Sequence, residues 1–302
     1  MASLRFSRVT IIGCGLIGGS FALSLRRIEP GTIIAGWDSS PAALKAALKR
    51  GVIEKIDEAF ANGGVSDSDL VYLAMPVSAI IEFLRTSRGR TKPEAVLTDA
   101  GSTKEDICRV ASKHLPEDRI FIGGHPIAGS EHAGVSHARA DLFAGAPYVL
   151  IDGEESAHRR QLKKMLSEMG ARVKLMSAAE HDRALAKVSH LPQLLSTALA
   201  ATVKNDPNSA DVLDVAGAGL GRMTRLSKSS WSVWRDILAT NPAFIKQALD
   251  DFMLRLEALR VEIATCSAEK PSELIVARQL FDDAQKFAAD NHSNQKRDVG
   301  KR

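Results

Sequence analysis

Cysteine is scarce in this sequence. Cys14, Cys108 and Cys266 are the only three in 302 residues, they lie far apart, and none forms a CxxC pair. That excludes a disulfide framework and a cysteine-based zinc site, and it predicts a reducing, cytoplasmic setting. No apolar run approaches the ~18 residues that a bilayer-spanning helix requires. The opening Met1-Ala2-Ser3-Leu4-Arg5 leads directly into a strand-like run, so no signal peptide is expected. Internal repeats and low-complexity tracts are also missing. A hydrophobic fraction of 45% and a charged fraction of 25% describe an ordinary globular chain, and the length suggests two domains. The one imbalance is a net charge of +4 with a pI near 9.0, which taken alone suggests an anionic partner such as nucleic acid. Residues 291–302, however, carry four basic side chains and one acidic, which leaves the rest of the chain at +1. No nucleic-acid partner is therefore expected.

The first 178 residues alternate short β-branched runs with helical patterns. Val9–Ile12, Thr32–Trp37, Leu70–Ala74, Ala95–Thr98, Ile120–Ile122, Tyr148–Ile151 and a run near 171–176 read as strands. Helices are predicted at Leu16–Arg27, Pro41–Arg50, Thr103–Lys113 and near 156–169. Ser40 is suited to cap the second helix, with Pro41 in its first turn. This alternation predicts parallel pairing through crossovers. Past residue 178 the β signal ends, and apolar residues recur at helical spacing in 179–202, 243–266 and 272–289. The prediction is an α/β, doubly wound Rossmann-type domain over 1–178, then an all-α domain over 179–290. The tail 291–302 is polar and predicted to be disordered. The Ala- and Leu-rich helices are too apolar to be solvated all round, so a partner subunit is expected to cover them.

Gly13-Cys14-Gly15-Leu16-Ile17-Gly18 is a GxGxxG placed between a strand and a helix, the context in which that motif binds dinucleotides. Gly13 permits the turn, Gly15 admits a pyrophosphate, and Gly18 lets the helix lie on its strand. The start of the helix, at Leu16 and Ile17, offers free N–H groups to phosphate. Asp38 follows twenty residues after Gly18, at the end of the second strand, where a carboxylate accepts ribose hydroxyls and repels a 2′-phosphate. No arginine follows it, so NAD is expected rather than NADP. Met75, Pro76 and Asp99 lie at the carboxyl ends of later strands, the crevice side of such a sheet.

Four segments carry candidate chemistry. In Asp99-Ala100-Gly101-Ser102-Thr103-Lys104, Ser102 reads as a helix cap and equally as a hydrogen-bond donor to a substrate. In Gly123-Gly124-His125-Pro126, a loop histidine at the crevice rim is suited to general-base work at neutral pH. Histidines at 125, 132 and 137 match no familiar ligand spacing, so no metal is expected. His190, in Ser189-His190-Leu191-Pro192-Gln193, lies in a helix that Pro192 should kink. Arg222 and Arg225, three apart, read either as a solvated face or as a carboxylate clamp.

Taken in order, GCGLIGGS at 13–20, DAGSTK at 99–104, GGHPIAGSEHAG at 123–134, EHDRALAKVSHLP at 180–192 and MTRL ahead of WRDI at 223–237 resemble the prephenate/arogenate dehydrogenase family. The resemblance covers about Val9 to Leu259. It implies a cytoplasmic homodimer in tyrosine biosynthesis that oxidatively decarboxylates prephenate or arogenate with NAD. His125 would be the base, Ser102 would orient it or the substrate hydroxyl, Arg225, helped by Arg222, would bind a carboxylate, and His190 would contact the substrate. Glu131 could pair with the ammonium of arogenate, so acceptance of both substrates is expected. Many members read SHLPH where Gln193 stands here, so any role of a second histidine passes to an amide. No regulatory ACT domain or fused chorismate mutase is expected within the 302 residues. The other readings are a related Rossmann-plus-helical reductase or 3-hydroxyacid dehydrogenase, and a non-catalytic NAD-sensing protein.

Overall fold

The computed structural model describes residues 6–64, 66–86, 90–129, 132–266 and 274–299, with side chains through Asp290. Its central sheet contains β1 (Arg8–Ile12), β2 (Ile33–Trp37), β3 (Lys55–Ile56), β4 (Leu70–Leu73), β5 (Val96–Asp99) and β6 (Ile120–Ile122). All pairs are parallel and the order is β3-β2-β1-β4-β5-β6, which is the Rossmann arrangement with its ligand crevice where the strand order reverses. Alternate side chains serve opposite layers. Val9, Ile11, Leu70 and Tyr72 enter one core, with Tyr72 stacked on Phe21 at 3.8 Å. Ile12, Val71, Leu73 and Leu97 enter the other. The crossover helices are α1 (Leu16–Ile28), α2 (Pro41–Lys49), the short α3 (Glu58–Ala61), α4 (Val77–Thr86) and α5 (Glu105–His114). Ser40 caps α2 through Ala43 N, as expected.

The strands at 148–151 and 171–176 do not extend the parallel sheet. β7 (Gly124–Pro126), β8 (Pro147–Ile151) and β9 (Arg172–Met176) form a separate sheet, ordered β7-β8-β9, with α6 (Ala157–Glu168) between its last two strands. β7 runs antiparallel to β8 and pairs His125 with Val149. His125 is thus held in a ladder rather than a loop. Gly123 alone separates β6 from β7, a change of sheet that strand-length apolar runs do not reveal.

The second half is helical, as predicted. α7 (Ala178–Leu185) starts at a reciprocal Ser177–Glu180 capping box. A single π-turn, Ala186–His190, then leads into α8 (Leu191–Lys204). Pro192 has no N–H for Val188, and the turn widens so that Leu191 N reaches Ala186 O. α9 (Ser209–Asp214), α10 (Ala218–Thr224), a 3-10 turn (Arg225–Lys228), α11 (Trp231–Thr240), α12 (Pro242–Thr265) and α13 (Ile275–Val299) follow.

By compactness the chain forms two units, Met1–Ile245 and Lys246–Arg302. The first helices after the Rossmann domain are bonded to it, as when Asp236 of α11 accepts Ser78 N at 2.9 Å. The second unit, Lys246–Arg302, holds the rest of α12 and α13, where Glu262 accepts Val276 N and Ala277 N at 2.8 Å and caps α13. α13 runs through Val299, and residues 291–299 contain no proline or glycine. Among the described residues, no helix is long and apolar enough to cross a membrane, and no cluster of His, Cys, Asp and Glu could hold a metal.

Candidate active site

The β1–α1 turn is shaped for a pyrophosphate. Gly13 has φ +95°, and a Cβ there would lie 2.3 Å from Ala74 O, while a Cβ on Gly18 would lie 2.0 Å from Gly13 O. At Gly15 a Cβ would meet nothing within 4 Å, so this backbone borders open space. No side chain caps α1, which leaves the first-turn N–H groups around Leu16, Ile17 and Gly18 to an anion. The side chains of Leu16 and Ile17 pack on the core, so their contribution is backbone. Asp38 braces the same turn, accepting Cys14 N and Ser40 N, each at 2.8 Å. Each oxygen keeps a lone pair for a ribose hydroxyl. A cavity of about 670 Å³ opens here, walled by Gly15, Asp38, Phe60, Met75, Pro76 and Phe83 among others. That is a suitable volume for part of a dinucleotide, and the residues present fit one.

Asp99 departs from expectation. It is fully buried. Its Oδ1 accepts Gly124 N at 3.0 Å, its Oδ2 accepts Gly101 N at 2.8 Å, and the Lys104 ammonium completes the set. Lys104 Nζ also donates to Gly124 O at 2.8 Å. The buried ion pair therefore grips both polar groups of the residue before His125.

Ser102 does not cap α5, which begins at Glu105. The cap comes from α7, where Asp182 accepts Lys104 N at 2.7 Å and Glu105 N at 2.9 Å. Ser102 hence has no hydrogen-bond partner among the described residues and stays free at the carboxyl end of the sheet.

Behind His125 lies a chain of polar groups. His125 Nδ1 is 2.8 Å from His181 Nε2, and His181 Nδ1 is 2.7 Å from Asp182 Oδ1. Among the described residues nothing bonds His125 Nε2. Burial, followed by His181, Lys104 and His190, pushes the His125 pKa well below 6.5. Its ring is neutral at physiological pH and able to accept a proton.

His190 is buried. Its Nδ1 is 3.4 Å from Asn241 Nδ2, which also donates to Asp182 O at 2.8 Å, and its ring meets Trp234 edge-on at 5.9 Å. Desolvation lowers its pKa to about 4. Arg222 and Arg225 are exposed and do not share one helix: α10 ends at Thr224, and Arg225 opens the 3-10 turn. Gln193, buried on α8, anchors that turn. Its Nε2 donates to Leu226 O at 2.8 Å, and its Oε1 accepts Ser229 Oγ at 3.1 Å. Glu131 lies outside the described residues. His181, Asp182, Lys104 and Asn241 are the polar residues that sequence reasoning left without a role. The signal for three of them was membership in quoted segments, Lys104 at the end of DAGSTK and His181 and Asp182 at the start of EHDRALAKVSHLP; in the structure His181 and Asp182 are buried on α7 with Leu185.

A Rossmann cleft and a half-buried neutral histidine on the strand that follows its parallel sheet define an oxidoreductase of the dinucleotide-binding class. Comparison with known proteins narrows the class. Residues 21–175 match the prephenate dehydrogenase nucleotide-binding domain, and 177–277 match the prephenate dehydrogenase dimerization domain. The chain belongs to the prephenate dehydrogenase family. It is 34% identical over 265 residues to prephenate dehydrogenase of Bacillus subtilis, covering 86% of this chain and 71% of that protein. The crystal structure of Aquifex aeolicus prephenate dehydrogenase with hydroxyphenyl propionate and NAD+ superposes with a TM-score of 0.82 at 28% identity, covering 94% of this chain and 99% of the other. Synechocystis arogenate dehydrogenase gives a TM-score of 0.72 at 25% identity, covering 93% and 99%.

Proposed function

We infer that this chain catalyses the NAD-linked oxidative decarboxylation of prephenate, and of arogenate as well, yielding 4-hydroxyphenylpyruvate or tyrosine. The observation that carries this reading is His125, a neutral ring whose Nε2 has no partner among the described residues, set in the fold of the prephenate dehydrogenase family. Asp38, the Gly13–Gly18 turn and Met75-Pro76 would hold NAD, which when bound supplies the acceptor for the hydride from substrate C4. His125 Nε2 takes the C4 hydroxyl proton as that hydride leaves, and C4 becomes a carbonyl. The bond to the C1 carboxylate then breaks, CO2 departs, and its electron pair enters the ring. The resulting phenolate recovers the proton from His125, so one proton is borrowed and returned. Aromatisation makes the sequence irreversible.

Ser102, free of protein partners among the described residues, orients the hydroxyl or His125. Arg225 binds a substrate carboxylate, with Arg222 beside it as a second positive charge. His190, buried and neutral, contributes to the pocket wall. Glu131, by its place in the GGHPIAGSEH segment, pairs with the ammonium of arogenate.

The assembly is a homodimer. The matched dimerization domain supports this, as do exposed apolar side chains. In the first unit these include Leu213, Val215, Met223 and Trp231, and in the second Met253, Leu254, Phe281 and Phe287. The decisive experiment follows NADH formation from purified prephenate and arogenate, with NADP in parallel. Turnover with neither substrate would favour the NAD-sensing reading, and turnover of short hydroxy acids without CO2 release would favour the reductase reading. Strict use of prephenate would remove the arogenate part. His125→Asn should lose several orders of magnitude in kcat while keeping its NAD affinity; wild-type turnover would end its assignment as base.

A further inference from the structure

The wall behind His125 contains His181 and Asp182, both completely buried, and the reaction as described uses neither. We propose that these two are positioning residues that fix the tautomer of His125, keeping the hydrogen on Nδ1 and the lone pair on Nε2. This rests on the reading of His125 as the base.

An ionised carboxylate only accepts hydrogen bonds. Two of the three groups that reach Asp182 are backbone N–H groups, Lys104 N at 2.7 Å and Glu105 N at 2.9 Å. These cannot reverse, so α5 fixes the carboxylate. The third, His181 Nδ1 at 2.7 Å, must bring its own hydrogen. A neutral His181 then carries its lone pair on Nε2, 2.8 Å from His125 Nδ1. His125 must supply the hydrogen to that bond, and its lone pair falls on Nε2, the atom without a partner among the described residues. Rotating either ring would set carbon against a polar group, at the cost of an unpaired buried donor or acceptor. Asn241 holds the arrangement from the other side by donating to Asp182 O at 2.8 Å. When Nε2 takes a proton, the positive charge on His125 lies one imidazole away from a fixed anion. A histidine base deprived of such a carboxylate loses on the order of 10⁴ in kcat through the wrong tautomer.

The test pairs kinetics with a direct view of the ring. His181→Leu removes the acceptor, whereas His181→Gln can accept from His125 and donate to Asp182. In H181L, kcat should fall by about 10²–10⁴, with KM and NAD affinity little changed, and H181Q should recover most of that loss. Nitrogen-15 NMR of the wild-type enzyme near neutral pH should show His125 protonated at Nδ1 and bare at Nε2, a preference that H181L loses. The inference is overturned if wild-type His125 carries its hydrogen on Nε2, or if H181L keeps wild-type kcat. Should H181L not fold, the wild-type tautomer and the H181Q kinetics still decide. An inactive His125→Asn beside an unaffected H181L refutes the positioning role alone; an active His125→Asn refutes the base.

Discussion

Lys104→Met removes the cation that holds the residue before the base. Lys104 and Asp99 are both without solvent exposure, and they contact each other directly. Methionine preserves most of the aliphatic stem and deletes the ammonium. Asp99 is then a buried carboxylate with two remaining donors, Gly101 N at 2.8 Å and Gly124 N at 3.0 Å. Gly124 O loses its 2.8 Å bond to Nζ. Breaking a buried ion pair from one side costs about 3–5 kcal/mol. The lost carbonyl bond adds ~1 kcal/mol, and the two surviving donors offset a similar amount. The net expectation is about 3–5 kcal/mol, or at ~2–4 °C per kcal/mol a fall in Tm of about 6–20 °C. Lys104→Met/Asp99→Asn removes the orphaned charge and should recover part of the loss, giving a favourable coupling of about 1–3 kcal/mol. Melting must be followed at one protein concentration without NAD, since ligand and self-association both raise apparent stability. The reasoning is refuted if K104M melts within about 2 °C of wild type, or if the double mutant is less stable than K104M.

Arg225→Ala should raise the KM for substrate by about 10- to 150-fold, the ~1.5–3 kcal/mol of a hydrogen bond to a charged group, with kcat little changed. An unchanged KM takes Arg225 out of the site. Gln193→Leu deletes the bonds that tie α8 to Leu226 and Ser229. It should raise KM in the wild-type background but add little to Arg225→Ala, and additive effects in that cycle would show that Gln193 does not act through Arg225. Stability should fall on acidification. His190 titrates at about 4 in the folded chain and His125 well below 6.5, both because burial disfavours the charged ring. The unfolded chain takes up these protons near ~6.5, so the contribution is complete above that pH and is lost as pH falls toward 4. A Tm that stays flat between about pH 7 and 5 would contradict the burial of these rings.

The parts of the site legible in the sequence are those whose chemistry is local. The Gly13–Gly18 turn needs only a strand, a tight bend and a helix, all contiguous, and Asp38 follows at the end of the next strand. Pro192 announced a disturbed helix because its missing N–H acts within one turn, and the π-turn at Ala186–His190 is the form that disturbance takes. The residues left without a role are bonded across long stretches of chain. Asp182 caps a helix that begins 77 residues earlier, and His181 meets His125 at a separation of 56. In the linear pattern, Glu180-His181-Asp182 reads as the polar first turn of a helix. Glu180 fits that description, exposed and engaged in a capping box, while its two neighbours are buried. Asp99 shows the converse. Its position at a strand end on the crevice side suggested the cofactor, but Lys104, Gly101 and Gly124 consume its carboxylate. What separates a ligand-facing carboxylate from a structural one is which donors the tertiary fold brings within reach, and here those donors belong to the segment that carries the base. The fold thus spends two buried acids, Asp99 and Asp182, on placing one neutral histidine.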